Sequence, residues 1–115
     1  MLVSQTGVFA TAVAATTILT IREENSYSRY LSFRNISGSL LTIVIEYSAT
    51  GADGSWVTDT ASFPLADGAV ISKVPANSTL LRIQASGAAA DAGLEINYTR
   101  IEADSASGTW LSPQI

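Results

Sequence analysis

The sequence predicts an all-β fold: one antiparallel β-sandwich of jelly-roll or immunoglobulin-like type, with about eight strands. Three observations predict it. Short runs alternate apolar and polar residues, turn-forming residues separate these runs at intervals of about 8 to 12 residues, and charged pairs at helical spacing do not recur. Parallel strands need crossovers of about a dozen residues or more, and the connections are too short for them.

The strand predictions rest on this alternation. In the strongest one, Leu41, Ile43, Ile45 and Tyr47 share one face, and the opposite face is also partly apolar, which favours a central strand. Pro64 is expected to close the strand that opens at residue 56. The predicted strands span residues 2–9, 16–23, 28–35, 40–48, 56–62, 69–74, 79–86 and 93–102.

The inward-facing positions of these strands predict the core. The alternation assigns ten apolar side chains to it: Leu31, Phe33, Leu41, Ile43, Ile45, Leu81, Ile83, Leu94, Ile96 and Tyr98.

The chain divides into a sandwich domain, residues 16–102, and two terminal segments. Residues 1–15 form an N-terminal arm or edge strand, and residues 103–115 form a C-terminal arm. Both segments are poor in charge and carry apolar anchors, so we expect them to mediate association. Trp110 is expected to dock either on its own domain or on a neighbour, because exposing its ring to water is unfavourable.

Composition restricts the function. A chain of 115 residues fits one domain, and its 47% apolar and 14% charged residues are typical of a folded protein. Histidine and cysteine are both absent, which excludes a Ser-His-Asp triad, an imidazole base, a thiolate metal site and a disulfide framework. We therefore expect no enzymatic activity, no cofactor and no metal.

The charge distribution argues against nucleic acid and membrane partners. The net charge is −4 and the six basic residues are scattered, whereas binding to phosphate needs clustered cations. No stretch approaches the about 20 apolar residues of a membrane span. The first basic residue is Arg22, so the N-terminus lacks the basic start of a secretory signal and secretion is not expected.

Two groups of residues are candidates for a binding site. A tyrosine- and arginine-rich strand and the apolar anchors of the two termini have the composition of protein interfaces. These interface candidates are Phe9, Tyr27, Arg29, Tyr30, Arg34, Trp110, Leu111 and Ile115. The alternative is a sugar-binding platform of Tyr47, Asp53 and Trp56, although a hairpin in which Trp56 packs across from Tyr47 explains the same pattern.

The order of elements between residues 34 and 102 resembles small β-sandwich proteins of tailed-phage virions. The resemblance rests on five segments: Phe33–Gly38, Glu46–Ser48, Asp53–Trp56, Leu81–Ile83 and Ile96–Tyr98. Similar arrangements occur in capsid decoration (cement) proteins, in virion adaptor proteins and in discoidin-like carbohydrate-binding modules.

The resemblance implies a structural virion protein, with capsid decoration favoured over an adaptor or fibre module. Its implied partners are the major capsid protein or another virion protein, together with further copies of itself in a homo-oligomer. Its implied location is the capsid surface, after synthesis in the host cytoplasm. The alternative function is a carbohydrate-binding module for host attachment.

Overall fold

The computed structural model describes residues 2–22, 26–75, 78–102 and 109–111. This part of the chain contains β-strands and no helix, which confirms the predicted all-β class. The strands are β1 (Leu2–Thr11), β2 (Thr16–Arg22), β3 (Ser26–Asn35), β4 (Leu41–Ser48), β5 (Val57–Leu65), β6 (Val70–Lys73), β7 (Leu80–Ser86), β8 (Ala90–Glu102) and β9 (Thr109–Leu111).

The strands form two antiparallel sheets that pack as a sandwich. The four-stranded sheet has the order β1-β8-β3-β6, and the five-stranded sheet has the order β5-β4-β7-β2-β9. The connection over residues 12–15 joins β1 to β2 across the sandwich, so these two strands lie on the same side of the domain. On the opposite side, the turn at Asp67–Gly68 joins β5 to β6.

The core lies between the sheets and confirms the ten predicted positions, none of which exposes its side chain to solvent. It also takes in residues that the alternation did not assign, above all in β2. A register shift between Thr17 and Leu19 lets Ile18 and Leu19, which are neighbours in sequence, both face inward.

Two differences from the predicted strands change the architecture, apart from shifts of one to three residues at other strand ends. A ninth strand, β9, lies within the segment 103–115 and pairs with β2. Pro64 does not end β5, which runs on to Leu65 and pairs Pro64 with Thr42. Because β5 is an edge strand, the missing N–H of proline can face away from the ladder, so the strand continues through it.

One buried polar residue, Asn35, fixes how strands of the two sheets meet. Asn35, fully buried at the end of β3, donates through Nδ2 to the carbonyl oxygens of Ser39 and Leu65, each at 2.7 Å. Its Oδ1 accepts the N–H and the hydroxyl of Ser37 at 2.9 and 2.7 Å. Since Leu65 belongs to β5, the Asn35 amide ties the two sheets together at one corner.

Candidate functional site

The outer surface of the four-stranded sheet is the candidate site. On β8, Glu95, Asn97 and Thr99 alternate with core residues and therefore point outward. The pairing of β8 with β1 and β3 brings outward residues of the three strands into rows. We call this surface the hydroxyl–amide face. Its first row is Ser4, Thr99 and Tyr30, and its second row is Thr6, Asn97 and Ser32. In its third row, Glu95 lies opposite Arg34.

A closed ring of hydrogen bonds orders the centre of the hydroxyl–amide face. Asn97 Nδ2 donates to Ser4 Oγ at 3.0 Å and to Thr6 Oγ1 at 2.7 Å, and Thr99 Oγ1 donates to Asn97 Oδ1 at 2.9 Å. A hydroxyl has one proton, so in the 3.1 Å contact between Ser4 and Thr99 the donor is Ser4. The side chains are thereby fixed in place without any partner.

Tyr30 and Arg34 border this ordered centre, and both are exposed, as expected for positions that alternate with the predicted core residues Leu31 and Phe33. Tyr30 keeps 53% of its surface in solvent. Arg34 lies opposite Glu95 in the β3–β8 pairing, so the charges of the hydroxyl–amide face balance. At the two edges of the sheet the row continues into Val8 and Val70, which are 51% and 61% exposed.

Arg29 does not belong to this surface, which corrects its assignment as an interface residue. It is only 4% exposed and its Nη1 donates to the carbonyl oxygen of Ser78 at 3.1 Å. The physical reason is its parity: Arg29 alternates with Leu31 and Phe33, both core residues, and so points inward at one end of the sandwich.

The structure places the described parts of the terminal anchors on their own domain, which for Trp110 is one of the two predicted alternatives. Phe9 is half-buried and packs against the core of its own domain, which removes it from the surface that was expected to dock elsewhere. Trp110 and Leu111 are in β9, paired through their backbone with Ile21 and Thr20 of the same chain. The side chains of Tyr27, Trp110 and Leu111, and the whole of Ile115, lie outside the described residues.

A second cluster occupies the outer face of the five-stranded sheet. Glu46 of β4 and Arg82 of β7 are direct cross-strand neighbours, and Arg82 donates from Nε and Nη2 to Glu46 Oε1 at 3.0 and 2.8 Å. The guanidinium carbon of Arg82 lies 4.2 Å from the centre of the Trp56 ring. One face of that ring is therefore already covered by a cation.

The three residues of the alternative sugar platform are not brought together. Tyr47 packs against the core, whereas Trp56 lies over Arg82 on the outer side of the same sheet. Asp53 is exposed in the turn that joins β4 to β5. The hairpin itself is present, but β5 begins one residue later than expected, and Tyr47 pairs with Val57 rather than with Trp56.

Sequence reasoning missed the residues that order the two outer faces. Ser4 and Thr6 carry a detectable signal, the i, i+2 spacing of hydroxyls on an uncharged strand, and Asn97 and Thr99 repeat that spacing. Their contact depends on pairing β1 with β8, strands at opposite ends of the sequence. The Glu46–Arg82 ion pair was hidden in the same way by the pairing of β4 with β7.

Among the described residues, no group of three or more acidic residues is placed to hold a metal ion. The same part of the chain has no helix that is long and apolar enough to cross a membrane.

No protein-family model matches the sequence, and no curated protein matches it. Solved structures do share its fold. One is the crystal structure of PirA, with 17% identity, a TM-score of 0.54, and coverage of 85% of this chain and 92% of that chain. Another is a chain of Bacillus endospore appendages, described as a novel family of disulfide-linked pili, with 23% identity, a TM-score of 0.56, and coverage of 89% and 87%.

A chain of infectious bursal disease virus, Gx strain, is a more distant match, with 16% identity and a TM-score of 0.33 over 88% of this chain and 29% of that chain. The likeness to the PirA and appendage chains establishes the β-sandwich fold that the three proteins share.

Proposed function

We propose that this protein is a non-enzymatic structural protein that acts through protein–protein contacts, and that its particular role is capsid decoration. In this role it binds the major capsid protein on the outside of an assembled virion shell, after synthesis in the host cytoplasm. The observation that carries the proposal is the hydroxyl–amide face, a preordered sheet surface whose single arginine and single glutamate balance.

The order of this face favours protein recognition. The ring of Asn97, Ser4 and Thr99 fixes side chains before a partner arrives, so binding costs little additional side-chain entropy. Tyr30 and Arg34 at its border are of the residue types that dominate interface energies. Binding only to the assembled shell would stabilise that shell by mass action, with no chemical step.

The fold is compatible with an assembling protein. One chain of similar fold belongs to appendages described as disulfide-linked pili. The present chain has no cysteine, so its own assembly would rest on non-covalent contacts. The absence of histidine and cysteine from the whole sequence removes imidazole bases and thiolate nucleophiles, which supports a non-enzymatic function.

The test is co-sedimentation of the purified protein with expanded capsid shells that lack it. We expect the wild-type chain to sediment with the shells and the double variant Tyr30→Ala/Arg34→Ala to bind at least about tenfold more weakly. The matched control, Thr17→Ala/Gln84→Ala, truncates two half-exposed neighbours on the outer face of the other sheet and should bind normally.

A glycan array completes the test. If the wild-type chain does not bind shells but binds a sugar, and Trp56→Ala abolishes the sugar binding, the carbohydrate-binding function replaces decoration. If neither shells nor sugars are bound, the decoration role is wrong. Equal shell binding by Tyr30→Ala/Arg34→Ala and wild type would place the contact elsewhere and refute the role of the hydroxyl–amide face.

A further inference from the structure

We propose that β1 is a self-association edge, at which two copies of this chain pair their β1 strands antiparallel about a twofold axis. Strand β1 pairs with β8 on one side only, and within the described residues no strand occupies its other side. The row of backbone N–H and C=O groups along that side is a template for another strand.

The four edges of the sandwich differ in how they are protected. Strand β5 contains Pro64 and two register shifts, β6 has four residues and ends at Lys73, and β9 has three residues. Proline, irregular register, lysine and short length are devices that prevent pairing between sheet edges. The β1 edge has none of them over its continuous register from Leu2 to Phe9.

The composition of β1 indicates its own copy as the partner. The ten residues of β1 include no charged side chain and no proline. In a twofold antiparallel pair, residues directly opposite each other point to the same face, so the outward residues Ser4, Thr6 and Val8 oppose outward residues of the second copy. No like charges meet across the two β1 strands. The four-stranded sheets of the two copies join into one continuous eight-stranded sheet, and both hydrophobic cores lie on the same face of it.

This inference is independent of the decoration role, because it concerns the chain alone and no shell is needed to test it. Sedimentation equilibrium over a concentration series should show a monomer–dimer equilibrium. Val8→Lys places a lysine, a residue that opposes pairing between sheet edges, in the uncharged outward row of β1, so we expect it to weaken dimerisation at least tenfold.

The matched control is Val70→Glu, at the opposite edge of the same sheet and in the same row. In Val8→Lys the new lysine lies opposite Glu95 of the same chain, and in Val70→Glu the new glutamate lies opposite Arg34. Because each new charge has an opposite charge beside it, both variants should fold. Circular dichroism melting checks this. Val70→Glu should dimerise like the wild type.

A disulfide scan gives a second measurement, because the chain has no cysteine and a single introduced cysteine can bridge only to another copy. Oxidation of Ser4→Cys, Thr6→Cys and Val8→Cys should give a cross-link yield that peaks at one position, nearest the twofold axis, and exceeds that of Val70→Cys. A wild-type chain that stays monomeric up to millimolar concentration would refute the inference. So would equal weakening by Val8→Lys and Val70→Glu, or equal cross-linking at both edges.

Discussion

At the scale of single residues, the fold depends on a few polar and small side chains placed where β-strands meet. Asn35 alone makes four hydrogen bonds with its side-chain amide, two of them to backbone carbonyls that belong to different elements. Gly93 has a different task, since it leaves room for the side chain of Thr11 where β1 approaches β8. Each of these residues gives a testable prediction.

Replacing Asn35 with alanine should destabilise the domain by about 2–4 kcal/mol. The change removes the hydrogen-bond partner of the Leu65 carbonyl oxygen and that of the Ser37 N–H. Each buried group that is left unsatisfied costs about 1–3 kcal/mol. Urea denaturation monitored by circular dichroism measures the effect. Ser72→Ala, an exposed β6 position, is the control and should change stability by less than about 0.5 kcal/mol. A loss for Asn35→Ala as small as that of the control would contradict the prediction.

Gly93→Ala should cost about 1–3 kcal/mol, because the added Cβ would lie 2.6 Å from Thr11 Cγ2 and 2.8 Å from Thr11 Cβ. Thr11→Ala alone should be nearly neutral, since its buried Oγ1 has no hydrogen-bond partner in the described residues. The double variant Gly93→Ala/Thr11→Ala removes Oγ1, the nearest atom, and Cγ2 but keeps the Cβ of residue 11, so it should recover part of the lost stability in the same denaturation experiment. Additive costs in the double variant would show that neither Oγ1 nor Cγ2 of Thr11 causes the clash.

At the scale of elements, the edge strands contribute unequally. Strand β9 adds three residue pairs to one side of β2, whereas β2 is also paired with β7 from Thr16 to Arg22. Removing residues 106–115 should therefore leave the fold intact and cost about 1 kcal/mol, a few degrees in the thermal midpoint.

Differential scanning calorimetry of the truncated chain checks this prediction. The control is Trp110→Ala in the 115-residue chain, which removes the tryptophan side chain but keeps the backbone of β9. If truncation abolishes the cooperative transition, β9 is a part of the core that the sandwich requires, and the C-terminal segment is not a dispensable edge.

The alternation of apolar and polar residues predicted the strands and the core because burial has a period of two in β-structure. The same rule predicted the outward placement of Tyr30 and Arg34, and applied strictly it also assigns Arg29 to the inside. Which strands pair with each other could not be predicted from the alternation. The ring of Ser4, Asn97 and Thr99 needs β1 beside β8, and no local pattern in either strand specifies the other. The short β9 lacks enough residues to show alternation at all.

At the scale of the whole molecule, nearly all pairing is long-range. Strand β8 joins β1 to β3 and β7 joins β4 to β2, so both sheets are completed by strands from the last third of the chain. Folding that must close such large loops is slow, and all-β domains with this property fold in milliseconds to seconds. Stopped-flow refolding from urea should fall in that range.

A main refolding phase in the microsecond range would contradict the long-range topology.

The late position of β7 and β8 also has a consequence for synthesis of the protein. A growing chain that has not yet reached residue 80 can form the β4–β5 hairpin and the β3–β6 pair, but neither β1 nor β2 has its partner. The uncharged β1 segment leaves the ribosome before strands β2 to β9 and waits longest for its partner, β8. On a polysome, neighbouring nascent chains carry the same unpaired strand close together, so the order of synthesis favours contact between copies before either domain is complete.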